Sequence, residues 1–257
     1  MTFEKLTVIS FGPVNIQVWG LLVALGMLAG LLFSLHEAKK KKMNTDNFID
    51  MFILVFIGSI IGSRLLYVAQ FWDNYKNNLW SIVNVNEGGL VFLGGVILAI
   101  LLILIYTRFK KLPFWKVGDT VVPGFALGLG VGRIGCYLIG DHIGARTDFF
   151  LGSYYQGDLR HEPSLYLSIN GFILFFVLML LAPFLRRKEG ALSYVFFVWY
   201  AVSRFLLDFT RAADIEGISD PRYWNLTFSQ WLCVVVFLIF APLLVKKLAF
   251  SKQTKIR

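Results

Sequence analysis

The stretch Asn47-Phe-Ile-Asp-Met-Phe-Ile-Leu-Val-Phe-Ile-Gly-Ser-Ile-Ile-Gly-Ser-Arg64-Leu-Leu-Tyr-Val-Ala-Gln-Phe71 is apolar almost throughout, yet it carries an arginine well inside its length. At 1.5 Å per residue a helix over 47–71 is about 37 Å long, more than the ~30 Å hydrocarbon core of a bilayer. It therefore reads as a membrane span. Six further runs qualify by the same measure: residues 16–35, 89–106, 117–140, 165–185, 191–209 and 228–245. Of the 257 residues 57% are hydrophobic and only 16% charged, and the charges gather between the apolar runs. The expected fold is an all-α integral membrane protein of seven transmembrane helices, forming one polytopic domain over 1–257. The fourth run is glycine-rich and holds Asp119 and Arg133, which predicts a helix surrounded by protein rather than by lipid.

The lysines and arginines set the expected orientation. One set of connections holds the tetralysine at 39–42, then Arg108, Lys110, Lys111 and Lys116, then residues 186–188, then Lys246, Lys247, Lys252, Lys255 and Arg257. The opposite set holds only Lys5, Lys76, Arg146, Arg160, Arg211 and Arg222. The positive-inside rule makes the richer set cytoplasmic, with the N-terminus outside and the C-terminus inside. It also accounts for the net charge of +9, aided by attraction to anionic lipid heads, so no nucleic-acid partner is expected. The first apolar run precedes its lysines and is too long for a signal h-region, so it reads as a retained anchor. Cys136 and Cys233 lie in apolar helical segments with no disulfide framework or metal spacing, and the expected role is packing, with no metal and no cofactor.

Three arginines, Arg64, Arg133 and Arg204, fall inside spans. Each costs about 2.5 to 3.5 kcal/mol at mid-helix depth on insertion scales, which calls for a compensating partner. The second, fourth and sixth spans run from inside to outside, so all three arginines lie roughly 7 to 11 Å below the outer ends of their helices. That layer suits a buried anionic ligand. Pairing with acids is the simpler alternative, and it fits Arg204 best because Asp208 lies one turn away. Trp19, the glycine-rich segment at 87–95 and Tyr166 reach the same level, with the polar connection 141–162 above. The glycines at 88, 89, 94, 95 and from 128 to 144 allow either tight helix packing or a cavity wall where a head group meets backbone N–H groups. The outer connection also brings His142, His161, Asp141, Asp148, Asp158 and Glu162 as groups able to carry protons.

In that order, the motifs resemble one family. Phe11-Gly-Pro-Val-Asn-Ile16 with Trp19-Gly-Leu21, Gly62-Ser-Arg64-Leu, the paired Gly-Gly element of 88–95, Lys111-Leu-Pro-Phe-Trp-Lys-Val-Gly-Asp119, Gly132-Arg-Ile-Gly135, Arg204-Phe-Leu-Leu-Asp-Phe-Thr-Arg211 and Leu226-Thr-Phe-Ser-Gln230 resemble the bacterial prolipoprotein diacylglyceryl transferases. The resemblance implies transfer of the diacylglyceryl group of phosphatidylglycerol to the lipobox cysteine thiol of a prolipoprotein signal peptide. That would take place in the bacterial cytoplasmic membrane, at a site facing the extracytoplasmic side and among membrane lipids. It implies that Arg133 and Arg204 hold the phosphate and glycerol portion, that Asp208 orients Arg204, and that Trp19, Arg64, Gly94, Gly95, Gly144 and Arg211 contribute to binding. The chain departs from the family pattern at definite positions: Leu93 stands where the family has histidine, Cys136 and Ile139 where it has asparagines, Asp141 where it has glutamate, and Trp19 where it has tyrosine. The segment Arg160-His-Glu-Pro-Ser-Leu-Tyr166 is similar to the family's His-Pro-Ser/Thr element, with a register that can slip by one residue. Because leucine cannot carry a proton, either His161 or Asp141 is expected to assist thiol deprotonation, or the thiol is expected to ionise without a dedicated base because the arginine field lowers its pKa. The alternatives are a related transferase with another donor or acceptor, and a lipid-binding or lipid-moving homologue without transfer chemistry.

Overall fold

The computed structural model describes residues 5–12, 14–76, 78–84, 88–215 and 220–249. Pro13, Glu87 and the basic residues Lys252, Lys255 and Arg257 of the sequence reading lie outside them. Among the described residues seven helices are long and apolar enough to cross a membrane: α1 (Val18–Lys40), α2 (Asp46–Gln70), α4 (Phe92–Phe109), α5 (Phe114–Ile139), α6 (Pro163–Leu185), α7 (Ala191–Asp208) and α8 (Phe228–Ala249). The short α3 (Trp72–Tyr75) and a 3-10 turn at Leu79–Ile82 lie between α2 and α4. The expected seven spans are all present, with shifted ends. α1 starts later than expected because β1 (Val8–Phe11) and β2 (Val14–Gln17) form an antiparallel hairpin that takes up its first residues. It then runs on to Lys40, since its closing His-Glu-Ala-Lys-Lys tolerates helix as well as the apolar run does. α4 starts only at Phe92 because Gly88 and Gly89 both adopt φ of +78°, outside helical geometry. Two further hairpins, β3 (Ser153–Tyr155) with β4 (Asp158–Arg160) and β5 (Arg222–Tyr223) with β6 (Leu226–Thr227), qualify the all-α expectation.

Backbone contacts divide the chain into two compact units: Met1–Ser34 with Gly118–Arg257, and Leu35–Val117. In the second, α2 and α4 form an antiparallel pair held at backbone contact. A Cβ on Gly62 would meet the carbonyl oxygen of Gly94, and one on Gly94 would meet that of Gly62. Gly95 likewise abuts Ser63 and the carbonyl of Ser59. Small residues at such a seam let dispersion contacts and Cα–H···O approaches accumulate where lipid offers no hydrophobic drive.

In the larger unit α5 packs against α1, α6 and α7, and α8 packs against α7. Gly26 and Gly30 of α1 face Gly128 and Gly124 of α5. Gly171 of α6 sits against Gly130 of α5, where Ser168 Oγ donates to the Gly130 carbonyl at 2.7 Å. Asn170 of α6 accepts from Trp199 Nε1 at 3.0 Å and donates to Ser203 at 3.1 Å on α7. Phe197 and Phe240 stack at 4.3 Å between α7 and α8. Val122, Ala126, Leu174, Leu178, Leu192 and Phe196 close the core of α5, α6 and α7.

The charge expected to mark the fourth span as protein-enclosed has a definite structural use. Asp119 of α5 accepts from the backbone N–H of Gly190 at 2.6 Å, from that of Ser193 at 2.8 Å and from Ser193 Oγ at 2.7 Å. One helix thus caps the N-terminus of another, satisfying orphan N–H donors and placing a carboxylate at the positive end of the α7 dipole.

Candidate active site

Arg133 and Arg204 occupy the last two turns of α5 and α7, helices that run parallel because α6 returns between them. A guanidinium there lies near the partially negative carbonyl end of its helix, which favours a cation. The two arginines differ in their partners. Arg204 lies 3.1 Å from Asp208 Oδ1, whose side chain is fully buried. Arg211 reaches the same oxygen at 3.9 Å and pairs with Asp220 at 3.0 Å. Arg133 forms no ion pair with any carboxylate among the described residues. It hydrogen bonds the thiol of Cys136, one turn on, and that sulfur also receives the indole N–H of Trp19. Gly135 brings α1 close enough for this, since a Cβ there would lie 3.3 Å from the Trp19 Cα.

Asp208 is anchored from a second direction. The Thr227 hydroxyl donates to Asp208 Oδ2. Thr227 also caps α8: its Oγ1 accepts from the Gln230 N–H at 3.2 Å, while Gln230 Oε1 accepts from the Thr227 N–H at 2.9 Å. That reciprocal pair is a capping box, and Gln230 Nε2 extends it to the Phe205 carbonyl of α7 at 3.2 Å. The pattern Thr-x-x-Gln before an apolar run was legible in Leu226-Thr-Phe-Ser-Gln230, but nothing local showed that its threonine would reach Asp208.

A polar roof follows α5. Residues 143–147 run between two neighbouring strands: Ala145 N–H donates to Thr210 and Ala212 N–H to Ile143 on one side, and His161 N–H donates to Ala145 and Thr147 N–H to Leu159 on the other. Gly144 pairs with Arg211 across this bridge and has the His161 backbone directly against its Cα. Only glycine fits at that crossing. Arg160 fastens the roof, forming a bidentate pair with Asp214 at 3.0 and 2.8 Å and donating to the Gly144 carbonyl at 3.1 Å. Arg146 adds Asp158 at 2.9 Å. The Arg160 guanidinium holds the Asp214 carboxyl below the usual carboxylate range.

Under the roof lies a cavity of about 110 Å³, lined among others by Lys5, Tyr137, Gly140, Gly144, His161 and Glu162. Lys5 Nζ donates to the Gly140 carbonyl at 3.1 Å. His161 Nδ1 is 3.0 Å from the Tyr166 hydroxyl, and burial pushes its imidazole below the ordinary histidine range. Asp141 hydrogen bonds His142. Contrary to the spacing argument against a metal, the ligand atoms of Cys136, Asp141 and His142 lie within 4.8 Å of one another. That is close enough to share one divalent cation, but the Arg133 guanidinium on the same thiol opposes it and suits an anion better.

The structure gathers Trp19, Arg133, Asp141, Gly144, His161, Arg204, Asp208 and Arg211 within the larger unit. The other three expected binding residues lie in the second unit and are already engaged. Arg64 is buried, and all five of its N–H donors go to backbone carbonyls: Nε to Ile82 at 2.9 Å, Nη1 to Gly88 and Gly89 at 2.6 and 3.1 Å, and Nη2 to Ser81 and Asn84 at 2.7 and 2.9 Å. With all five donors engaged, this guanidinium organises the loop after α2. Gly94 and Gly95 have their Cα faces against α2. Leu93 sits between them and the loop on α4.

Fold and site together define a multi-pass membrane protein with two cationic side chains near one end of its helices, beneath a polar roof, an arrangement suited to an anionic lipid. Residues 6–246 match the family model described as prolipoprotein diacylglyceryl transferase. The chain is similar to the phosphatidylglycerol–prolipoprotein diacylglyceryl transferase of Listeria monocytogenes serotype 4b, 33% identical over 90% of this chain and 85% of that one. It is also similar to that of Clostridium botulinum strain Langeland, 31% identical over 89% of this chain and 93% of that one. The chain belongs to the prolipoprotein diacylglyceryl transferase family.

Proposed function

We propose that this protein transfers the diacylglyceryl group of phosphatidylglycerol to the lipobox cysteine of prolipoprotein signal peptides, at the extracytoplasmic side of the bacterial cytoplasmic membrane. Family membership supports the activity, and the relatives' names state both substrates. The observation that carries the reading to this chain's own residues is Arg133, a membrane-embedded guanidinium without a carboxylate partner among the described residues, in the last turns of α5. An uncompensated cation at that depth is costly unless a ligand anion offsets it.

In this reading the donor's phosphate lies against Arg133 and Arg204. The acceptor sulfur attacks the glycerol carbon that bears the phosphate, a C–S bond forms, and the C–O bond breaks with its electron pair leaving on the phosphate oxygen. The proton released by the thiol neutralises part of the charge on the glycerol phosphate product. The arginines stabilise the charge gathering on the leaving phosphate, while Asp208 fixes the Arg204 rotamer. The basic connections identified in the sequence support the orientation that puts the roof outside.

The test incubates the purified chain with phosphatidylglycerol and a peptide carrying a lipobox cysteine, and follows the peptide by mass spectrometry. A diacylglyceryl increment on cysteine, with release of glycerol phosphate, is the expected result. Lipid binding without an increment would favour a lipid-binding homologue instead.

A further inference from the structure

The transfer just described delivers the thiol proton to the glycerol phosphate product but names no group that takes it from the sulfur, and Leu93 cannot supply one. The connection after α5 offers His161, Asp141 and Glu162 as proton carriers, and Asp141 acts electrostatically on both Glu162 and the Cys136 thiol beside Arg133. His161 is occupied by the Tyr166 hydroxyl, and its burial makes it a weaker base. Asp141 is taken by His142. Glu162 is differently placed. It stands immediately before α6, where an acidic side chain would ordinarily cap the helix, yet it makes no side-chain bond to the N-terminal N–H groups of α6. Pro163, at the first position of α6, removes one of those donors altogether. Instead the carboxyl lines the 110 Å³ cavity, and its Oε2 is buried with no hydrogen-bond partner.

Resting on the functional reading above, we propose that Glu162 is the proton acceptor for the substrate thiol, with Oε2 receiving the S–H proton as the C–S bond forms. The proton then passes to the leaving phosphate or to water, and the carboxylate is regenerated. The groups around Glu162 are consistent with that work. Lys5 from the N-terminal segment attracts the charged form, while Asp141 beyond the end of α5 opposes it, and the Ser153 hydroxyl of β3 hydrogen bonds it. Tyr137 of α5, His142, Tyr154, Tyr155, Arg160 and His161 line the same cavity. Burial outweighs the favourable partners and raises the carboxyl above the usual glutamate range, towards the thiol it must deprotonate. A surface glutamate would be a far poorer match.

The experiment compares Glu162→Gln and Glu162→Asp with the unaltered full-length chain in phosphatidylglycerol micelles, using lipobox peptides that carry either cysteine or selenocysteine. A selenol is ionised at neutral pH and needs no base. Expected for Glu162→Gln is a loss of about 10²-fold or more with the cysteine peptide, with the acid limb of the pH–rate profile removed. With the selenocysteine peptide its rate should approach that of the unaltered chain, and Glu162→Asp should recover part of the cysteine rate. Equal losses with both peptides would make Glu162 a structural residue of the roof and overturn the proposal, as would an unchanged rate and profile. Transfer that persists in the unaltered chain leaves the functional reading standing in either case; absence of transfer there overturns both.

Discussion

Asp208 receives the hydroxyl hydrogen of Thr227, the residue that caps α8, so the carboxylate facing Arg204 is held by the start of the following helix. Thr227→Val keeps the shape and deletes the donor. Leaving the buried Asp208 oxygen unsatisfied should cost about 1 to 3 kcal/mol of stability, with part of that from the lost cap. Asp208→Asn and Thr227→Val should be far from additive in a double-mutant cycle read by denaturation in detergent. Additive losses would mean that the hydroxyl contact has no energetic weight.

Arg133→Ala and Arg204→Ala should each lower transfer by tenfold or more, because losing one charged contact to a phosphate forfeits about 1.5 to 3 kcal/mol. Asp208→Ala should approach the loss of Arg204→Ala, and the pair together should be little worse than either alone, since Asp208 acts through the arginine. The measurement is initial rate at equal protein. Near-normal turnover in both arginine variants would remove the phosphate from this site.

Arg64→Lys preserves charge but replaces five forked donors with three on a point ammonium. At least two of the carbonyls from Ser81 to Gly89 would lose their partner, and the expected cost is about 2 kcal/mol or more. It should appear as a lower unfolding temperature with little change in the KM for phosphatidylglycerol. A selective rise in KM would instead make Arg64 a donor-lipid contact.

The roof should be acid-labile at its fastening. The Asp214 carboxyl is held below its ordinary value by Arg160, so the stability this pair gives is present above the ordinary carboxylate range and is lost as pH falls through the depressed value. Proteolysis of the 143–161 connection at graded pH should show a protected plateau at neutral pH and cleavage only in strong acid. In Arg160→Gln that acid-dependent step should be absent, because protection is already reduced at neutral pH.

The seven spans were legible because helix length against bilayer thickness is a coarse, robust signal, and Arg133, Arg204 and Asp208 stood out as charges inside apolar runs. The i and i+4 spacing of Arg204 and Asp208 predicted their contact, and the 3.1 Å pair agrees. Arg64 looked identical to them by composition. Its partners are carbonyls of residues 81–89, and backbone groups carry no sequence signature. Gly94 and Gly95 fit packing and cavity readings alike in the sequence; in the structure the carbonyl of Gly62 lies against Gly94. Cys136 read as packing, although its position three residues after Arg133 on one helix face was a usable hint. Glu162 was legible only as one of six proton carriers in the outer connection, because the burial that leaves its Oε2 without a partner has no local sequence signature.

The grip of Asp119 on Gly190 and Ser193 gives α7 a fixed zero mark. Arg204 lies eleven residues beyond Ser193, about 16 Å along the axis, and every residue between them adds 1.5 Å of advance and about 100° of rotation. The helix therefore works as a ruler whose scale begins on the opposite side of the molecule from the reactive end. One inserted alanine would swing the guanidinium to another side of the helix while leaving every residue of the site chemically intact. A variant of this kind separates having the right side chains from having them at the right reading on the scale.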